Sequence, residues 1–420
     1  VRSLRNQARR SNHETTHHIL FGATAACILV GLAVTGVCRA RIITVDDDGP
    51  ADFDNIQAAI DDANDGDTVL VADGMYFGQW PDGISFRGKA IVVRSENGPE
   101  TCTINCMHFW RGFIFDSGED ANSVLDGFTI KNGGAGIGGG IYCSSSSPTI
   151  INCVIRDNRA KKTLDCDPID GICIYTGGQG GGIASILSSP LIVNCIISDN
   201  IADSEGGGMT CYTRGDPSLS PILRNCIVSD NDAADYGDGI YHCIGEISNC
   251  TVVNNLGHGL RYCGSQITNC IVWGNGDDLS RYTYARYSCI EDGDVGEGNI
   301  RDDPCFVDAN SGDYHLKSQA GRWDPNSGVW VMDDVTSPCI DAGDPMTPIG
   351  QEPFPNGGIV NMGAYGGTPE ASKSYFDKLP CETIVAGDVN GDCIVDFRDL
   401  SILLLHWLEE GRQGIGVSGD

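Results

Sequence analysis

Between residues 138 and 275 the apolar positions fall in runs of two to four, punctuated by Gly, Asn and Asp. One octet returns five times: "INCVIRDN" (151–158), "VNCIISDN" (193–200), "RNCIVSDN" (224–231), "SNCTVVNN" (248–255) and "TNCIVWGN" (268–275). A second motif precedes each octet: "GGGIYC" (138–143), "GGGIAS" (180–185), "GGGMTC" (206–211), "GDGIYHC" (237–243) and "GHGLRYC" (257–263). The shortest full repeat, Cys250 to Cys270, spans 20 residues. Runs this short lack both the length and the period of a helix and read as strands. A strand of three or four residues cannot bury a face alone. Stacked coil on coil at about 4.8 Å, such strands form parallel sheets around one core. About ten coils between residues 67 and 290 would make a rod on the order of 50 Å long.

Within each octet the Cys and the second residue after it share a face, as the two-residue strand period requires. Cys153, Cys195, Cys226, Cys250 and Cys270 are therefore expected to stack inside, unpaired, as small hydrophobes. In-register side chains point the same way, which is poor geometry for a disulfide. A metal or redox site is the alternative for this column. The Asn at each end of the octet is expected at a corner. Asn tolerates left-handed backbone, and its amide can pair with the amide one coil away. Glycines supply the other corners.

These repeats resemble right-handed parallel β-helix proteins of the pectin-lyase-like superfamily. The stretch "TVDDDGPADFDNIQAAIDDANDGDTVLVADGMYFG" (44–78) is similar to their N-terminal cap. The resemblance implies an all-β, right-handed, single-stranded parallel β-helix over 41–290, opened by a short capping helix. Asp54 is the expected N-cap of that helix. Ile56, Ala59, Ile60 and Ala63 would share the face that plugs the first coil. The fold hosts lyases, hydrolases, esterases, epimerases, adhesins and inert scaffolds, so it does not by itself name an activity. Residues 291–370 leave the period. "DPCFVDANSGDYHLKS", "SPCIDAGDP" and "GGIVNMGAYGGTPEAS" resemble the C-terminal segment of exported bacterial β-helix proteins that carry anchoring modules. Cys305 and Cys339 lie there in similar Pro-Cys contexts. They are expected to pair, with two separate buried thiols as the alternative.

Charge narrows the partners. The chain carries 27 Lys and Arg against 57 Asp and Glu, a net charge of −30. Such a surface repels nucleic acid and anionic membrane. It also repels pectate unless a cation bridges the two. The first 40 residues stand apart: a basic start, the apolar run "ILFGATAACILVGLAVTGV" (19–37), then Cys38-Arg39-Ala40 with small residues ahead of a cut. That order reads as a secretory signal peptide. An uncleaved leader is the alternative, and it would be the sole membrane attachment. The expected location is outside the cytoplasm: extracellular, at the cell surface, or periplasmic.

After a linker (371–386), residues 387–411 carry a separate signal. Counted from Asp388, oxygen ligands fall at loop positions 1, 3, 5, 9 and 12: Asp388, Asn390, Asp392, Asp396 and Asp399, with the Ile394 carbonyl at position 7. Hard oxygen donors at this spacing suit Ca²⁺ in an EF-hand loop. The loop resembles one repeat of a dockerin, the calcium module that attaches exported polysaccharide enzymes to cohesin partners. Dockerins carry two repeats where this chain shows one, and Cys393 stands where position 6 prefers Gly. The resemblance implies calcium and a cohesin-like or cell-surface protein as partners. Residues 412–420 read as a tail.

Two further places could carry chemistry. In the second motif His258 takes the slot held by Asp238 one coil earlier and by glycines before that. Asp235, Asp238, His258 and Arg261 are the candidate catalytic group, beside Tyr241, His242 and Tyr262. Paired carboxylates with His and Arg suit acid/base chemistry on a glycan. The competing reading is drift at an exposed corner. The sequence marks of pectate lyases and polygalacturonases are missing, apart from Gly257-His258-Gly259. The second place is an insertion, "RAKKTLDCDPIDGICIYTGGQ" (159–179), whose Cys166 and Cys173 are spaced for a local disulfide. Long excursions from a rigid stack commonly carry binding function. The function expected is polysaccharide binding or processing, by a lyase or glycoside hydrolase of the pectin-degrading type if catalytic. A non-catalytic surface or adhesive scaffold is the rival.

Overall fold

The structure, a computed structural model, describes residues 40–79, 82–166 and 173–375, with Val395, Phe397, Arg398, Leu400 and Ser401 beyond. The leader and nearly all of the calcium-loop segment, including Asp388, Asn390, Asp392, Ile394, Asp396 and Asp399, lie outside the described residues.

The short strands stack as the periodicity requires. Sheet A has ten strands in chain order, from Ile42–Val45 to Thr283–Arg286. Sheet B has nine, from Gly74–Phe77 to Cys289–Ile290. Sheet C has eight, from Ile84–Ser85 to Asp277–Ser280. Four two-residue strands, Gly134–Ala135, Arg159–Ala160, Ile201–Ala202 and Asp232–Ala233, add a small sheet D. Each strand pairs in parallel with its counterpart one coil away, for example Ile150 with Ile192 and Ile155 with Ile197. The chain is a right-handed parallel β-helix. Its interior is a set of aliphatic columns, such as Ile150, Ile192, Leu223, Ile247 and Ile267, all fully buried.

The octet has a physical explanation at each position. Its first Asn (152, 194, 225, 249, 269) has φ between 48° and 57° and turns the chain from sheet A to sheet B. The Cys that follows is buried and free in all five cases. Each thiol donates to the carbonyl two residues back, at 3.2–3.3 Å, closing the turn from inside. In the next coil Ser288 takes the same role, donating to the Arg286 carbonyl at 2.9 Å. The thiols are thus hydrogen-bonding turn residues as well as small apolar fillers.

The closing Asn residues form a buried ladder. Asn158 Nδ2 donates to Asn200 Oδ1, Asn200 to Asn231, and Asn231 to Asn255, each at 3.0 Å; Asn255 donates to Asn275 at 2.9 Å. The second Nδ2 proton of each reaches a strand carbonyl, as from Asn231 to Ile197 at 2.9 Å. Each Oδ1 also accepts the next backbone N–H, as Asn231 does from Asn200. Asp278, buried, ends the ladder by accepting from Asn275 at 2.9 Å. Burial pushes its carboxyl up to about 6. The last Gly of the second motif packs against this ladder. A Cβ on Gly208 would lie 2.6 Å from the Gly239 carbonyl oxygen and 3.0 Å from Asn231 Nδ2.

The cap helix spans Ile56–Asp62, one residue away from expectation at its start: Asn55, not Asp54, is the N-cap, accepting from the Ala58 N–H at 2.8 Å. Ile56, Ala59, Ile60 and Ala63 are buried against the first coil. Gln57 completes the plug. It accepts from the Ser85 N–H and donates to the Ser85 carbonyl, standing in for a missing strand.

Residues 291–375 form two small antiparallel hairpins and irregular turns that dock on the β-helix. The docking uses the corner Asn column. Asn225 donates to the Ala364 and Gly366 carbonyls, Asn249 to Asn361, and Asn269 to Thr347. The expected Cys305–Cys339 disulfide is not formed; both cysteines are free. Cys339 is instead buried in a cluster with Cys289, Ile271, Leu316, Ile340 and Met362. A second departure is a disulfide inside the stack, Cys211–Cys243, with Cα atoms 5.1 Å apart. Sheet C register pairs Thr210 with Tyr241, so Cys211 and Cys243 are offset by one residue rather than stacked in line. Left-handed His242 (φ 61°) sets this offset, so the parallel-thiol argument does not hold there.

Candidate functional site

The candidate residues sit where sheets D and C meet, on the outer surface of the coils carrying residues 204–282. Two features of the chain build this surface. Glycines at the sheet C entry let adjacent coils pack backbone to backbone; a Cβ on Gly239 would collide with the Gly259 carbonyl oxygen. Left-handed His242 and Tyr262 then turn out of the strands beside Tyr241 and Arg261.

The rings line up from coil to coil. Tyr236 stacks on Tyr241 with centroids 6.5 Å apart, and Tyr241 meets Tyr262 edge-on at 5.9 Å. His242 packs on both, and Tyr262 leads to Tyr282 at 6.0 Å. Tyr236 is 45% exposed and Tyr282 73%. The Arg261 guanidinium lies over the Tyr236 ring at 4.3 Å and near Tyr262 at 5.6 Å.

Three of the four candidate residues come together. Asp238 and His258 are neighbours across coils, as the repeat alignment implies. Asp238 is buried; its Oδ1 accepts from the Ala233 N–H at 3.1 Å and its Oδ2 from the His258 N–H at 2.7 Å. His258 Nδ1 faces the same Oδ2 at 3.4 Å, and Arg261 Nη1 meets His258 Nε2. Arg261 can only donate, so Nε2 accepts and the proton sits on Nδ1, toward Asp238. The chain Asp238–His258–Arg261 therefore orients a guanidinium between two tyrosine rings. Asp238 is committed to backbone N–H groups through both carboxylate oxygens.

Asp235 lies outside that chain. Its Oδ2 accepts from Lys162 Nζ at 2.7 Å and from Ser204 Oγ at 3.0 Å, and these bonds hold its carboxyl below the usual range. Lys162 opens the inserted hairpin, Lys162–Cys166 against Cys173–Gly177, so Asp235 ties the insertion to the coil stack. Cys166 and Cys173 face each other in register, and Cys173 is disulfide-bonded. Leu164, Ile174 and Tyr175 stand exposed on the hairpin.

One residue of this surface was not singled out from sequence. Glu205 pairs by register with Tyr236 and Gln179, on the coil before Asp235. Burial first, then the Asp235 charge, raises its carboxyl above the ordinary range. The available signal was its place in the repeat, one residue before the glycines of "GGGMTC" and aligned with Tyr236 before "GDG". Elsewhere, Asp46, Asp47 and Asp48 are the described carboxylates that gather closely enough to share an ion. Asp46 there accepts from the N–H groups of Asp48 and Gly49, an ordinary turn.

The family match over residues 81–275 agrees with the architecture. Residues 81–275 match the family described as "Right handed beta helix region", and residues 285–343 match "Disaggregatase related". No curated protein matches the chain significantly. Among solved structures, the crystal structure of pectate lyase Pel9A is similar at 15% identity and a TM-score of 0.40, covering 78% of this chain and 97% of that one. The class is thus a parallel β-helix with a docked C-terminal segment.

Proposed function

We propose that this chain is an exported polysaccharide-binding β-helix whose glycan lies across Tyr236, Tyr241, Tyr262 and Tyr282. The run of rings along successive coils carries this reading. Sugar rings present apolar C–H faces and polar edges, and tyrosine offers the matching combination of an apolar face and a hydroxyl. A stacked solenoid repeats that face at a fixed spacing, which suits a polymer. Arg261, held rigid by His258, would supply donors to the sugar edge. Affinity electrophoresis of the full chain in gels containing neutral and acidic polysaccharides tests the reading. Tyr241→Ala with Tyr262→Ala should weaken retardation at least ~10-fold, about 1.4 kcal/mol, with the fold unchanged by circular dichroism. Equal retardation of the variant would remove the site.

A second reading, cleavage, is favoured by the opposed shifts of Glu205 and Asp235. One carboxyl raised beside one lowered is the direction of difference that separates a general acid from a general base. Activity would fall as pH rises through the raised value of Glu205, and fall again in acid as Asp235 protonates. Glu205→Gln should abolish release of reducing ends while leaving polysaccharide retardation intact. Retardation without any reducing-end release by the unmodified chain would leave a binding protein only.

The third element is attachment. Ligand spacing over 388–399 supports a calcium-dependent, dockerin-like module that docks on a cohesin-like or cell-surface protein. Four Asp and one Asn crowd one loop, and calcium would relieve their repulsion. Titration calorimetry of the full chain should show calcium binding at extracellular concentrations, lost in Asp388→Ala. No heat at millimolar calcium would end the calcium reading.

A further inference from the structure

We infer that Cys289 and Cys339 are a cross-linking pair that bonds the last coil of the β-helix to the C-terminal segment under oxidising conditions. Cys289 sits in the last strand of sheet B, where it pairs with Ile271 of the coil before. Cys339 belongs to the turn "SPCIDAGDP", fixed by the Met362 N–H on its carbonyl and by Ser337. Both side chains are fully buried in one small cluster with Ile271, Leu316, Ile340 and Met362. The neighbouring Cys289 thiol, with burial, raises the Cys339 thiol above its ordinary value. Cys289 Sγ donates its own proton to the Asp302 carbonyl at 3.2 Å. Cys305, by contrast, is half-exposed and outside this cluster.

This pair differs from the thiol ladder in one respect. Each ladder thiol is held between two strands of the same rigid stack and closes its own turn. Cys339 rides on an irregular segment that docks on the stack, so its backbone can adjust to bond geometry. The cross-link would also tie together parts of the chain that are otherwise joined by hydrogen bonds and a small apolar contact. Closing a long loop restricts the unfolded chain, so the bond should stabilise docking.

The chemistry balances with a small-molecule disulfide as oxidant. One protein thiolate attacks the oxidant, forming a mixed disulfide and releasing one thiol. The second protein thiol, deprotonated, attacks the protein sulfur of that mixed disulfide and releases the other thiol. Two protein thiols lose two protons and two electrons, and the oxidant leaves as two thiols. Because both sulfurs are buried, the reaction belongs to folding, before the segment closes, or to local opening.

The test uses the full chain, purified reduced and then refolded with oxidised glutathione. Peptide mapping without reductant should recover a Cys289–Cys339 cross-linked peptide, while Cys153, Cys195, Cys226, Cys250 and Cys270 remain alkylatable after denaturation. The unfolding midpoint should rise by roughly 5–10 °C over the reduced chain. Cys305→Ser should leave both the peptide and the midpoint unchanged, and Cys339→Ser should lose both. If Cys339→Ser fails to fold, mapping of the unmodified chain and of Cys305→Ser still decides. A Cys305–Cys339 peptide, or Cys289 and Cys339 both recovered as free thiols after refolding, overturns the inference.

Discussion

Replacing Asn231 by Ala is expected to destabilise the chain by roughly 3–5 kcal/mol. Asn231 is fully buried in the middle of the ladder. Its loss removes the acceptor for the Asn200 N–H and Nδ2, the donor to the Ile197 carbonyl, and the donor to Asn255 Oδ1. Four buried polar groups lose a partner at once; Asn200 Nδ2 keeps the Ile155 carbonyl and Asn255 Oδ1 keeps the backbone N–H of residue 231, and a buried group left unpaired costs more than its hydrogen bond contributed. The space cannot be filled from below, because Gly208 packs against Asn231 with its backbone. Asn194→Ala is the internal control. Asn194 is exposed, its amide reaches Asn152 Oδ1 at 2.8 Å and its backbone is left-handed (φ 52°), so its loss should cost about 1–2 kcal/mol, mostly from the backbone. Denaturant unfolding of the two variants measures the difference. Equal midpoints would mean that the ladder amides are not the buried network they form here.

The second large effect is on pH. Glu352 is buried, and its Oε1 accepts from the Asn361 and Gly367 N–H groups, which pin the loop docked on the Asn column. Burial pushes its carboxyl from 4.5 up to about 7. A group whose folded value is raised contributes stability that is complete below its unfolded value and lost as pH rises through its folded value. For Glu352 that window is 4.5 to about 7, and the loss is on the order of 3 kcal/mol. Asp278 acts in the same direction, with its folded value near 6. His315 does too. It is buried and stacked on Tyr365 at 3.7 Å; burial lowers its value, but Asp313 at 2.7 Å and Glu370 at 3.5 Å raise it further than burial lowers it. Below about pH 4 the balance reverses. Asp313 and Glu246, lowered by His315 and by Arg224 respectively, then give up their stabilisation as they protonate. The chain should therefore be most stable near pH 5 and lose midpoint steadily toward pH 8. Glu352→Gln should flatten that slope; a variant with the unaltered slope would show that the carboxyl does not control docking.

The parallel β-helix was legible because its information is local and repeated. Asn-Cys marks a left-handed corner followed by an inward thiol, and the closing Asn marks a position where amides one coil apart can pair. Each requirement falls on one residue and recurs, so a single period reads five times over. The cap helix was legible for the same reason, although the N-cap shifted from Asp54 to Asn55, since either side chain can accept from the first turn. The candidate site was legible only in part. The repeat alignment placed Asp238 against His258, but not the third neighbour that decides what the histidine can do. Arg261 occupies Nε2, and that contact depends on the direction of a long side chain. Asp235 went to Lys162, which arrives from an insertion with no counterpart in the other coils. Glu205 drew no notice because a lone glutamate acquires meaning only from the coils on either side.

The sequence by itself determined the stack: period, corners, interior columns and the burial of the thiols follow from which residues tolerate a left-handed turn and which face inward at every second position. Only the tertiary structure decided the pairings between distant segments. Cys339 shares its buried cluster with Cys289, Cys211 is bonded to Cys243, and the corner Asn residues receive the C-terminal segment. The meeting of Cys339 with Cys289, and of the corner Asn residues with their carbonyls, is fixed by how an irregular segment folds back on a regular one. Cys211 and Cys243 end the second motif on adjacent coils, and there the one-residue offset at His242, which leaves no periodic trace, decides the bond.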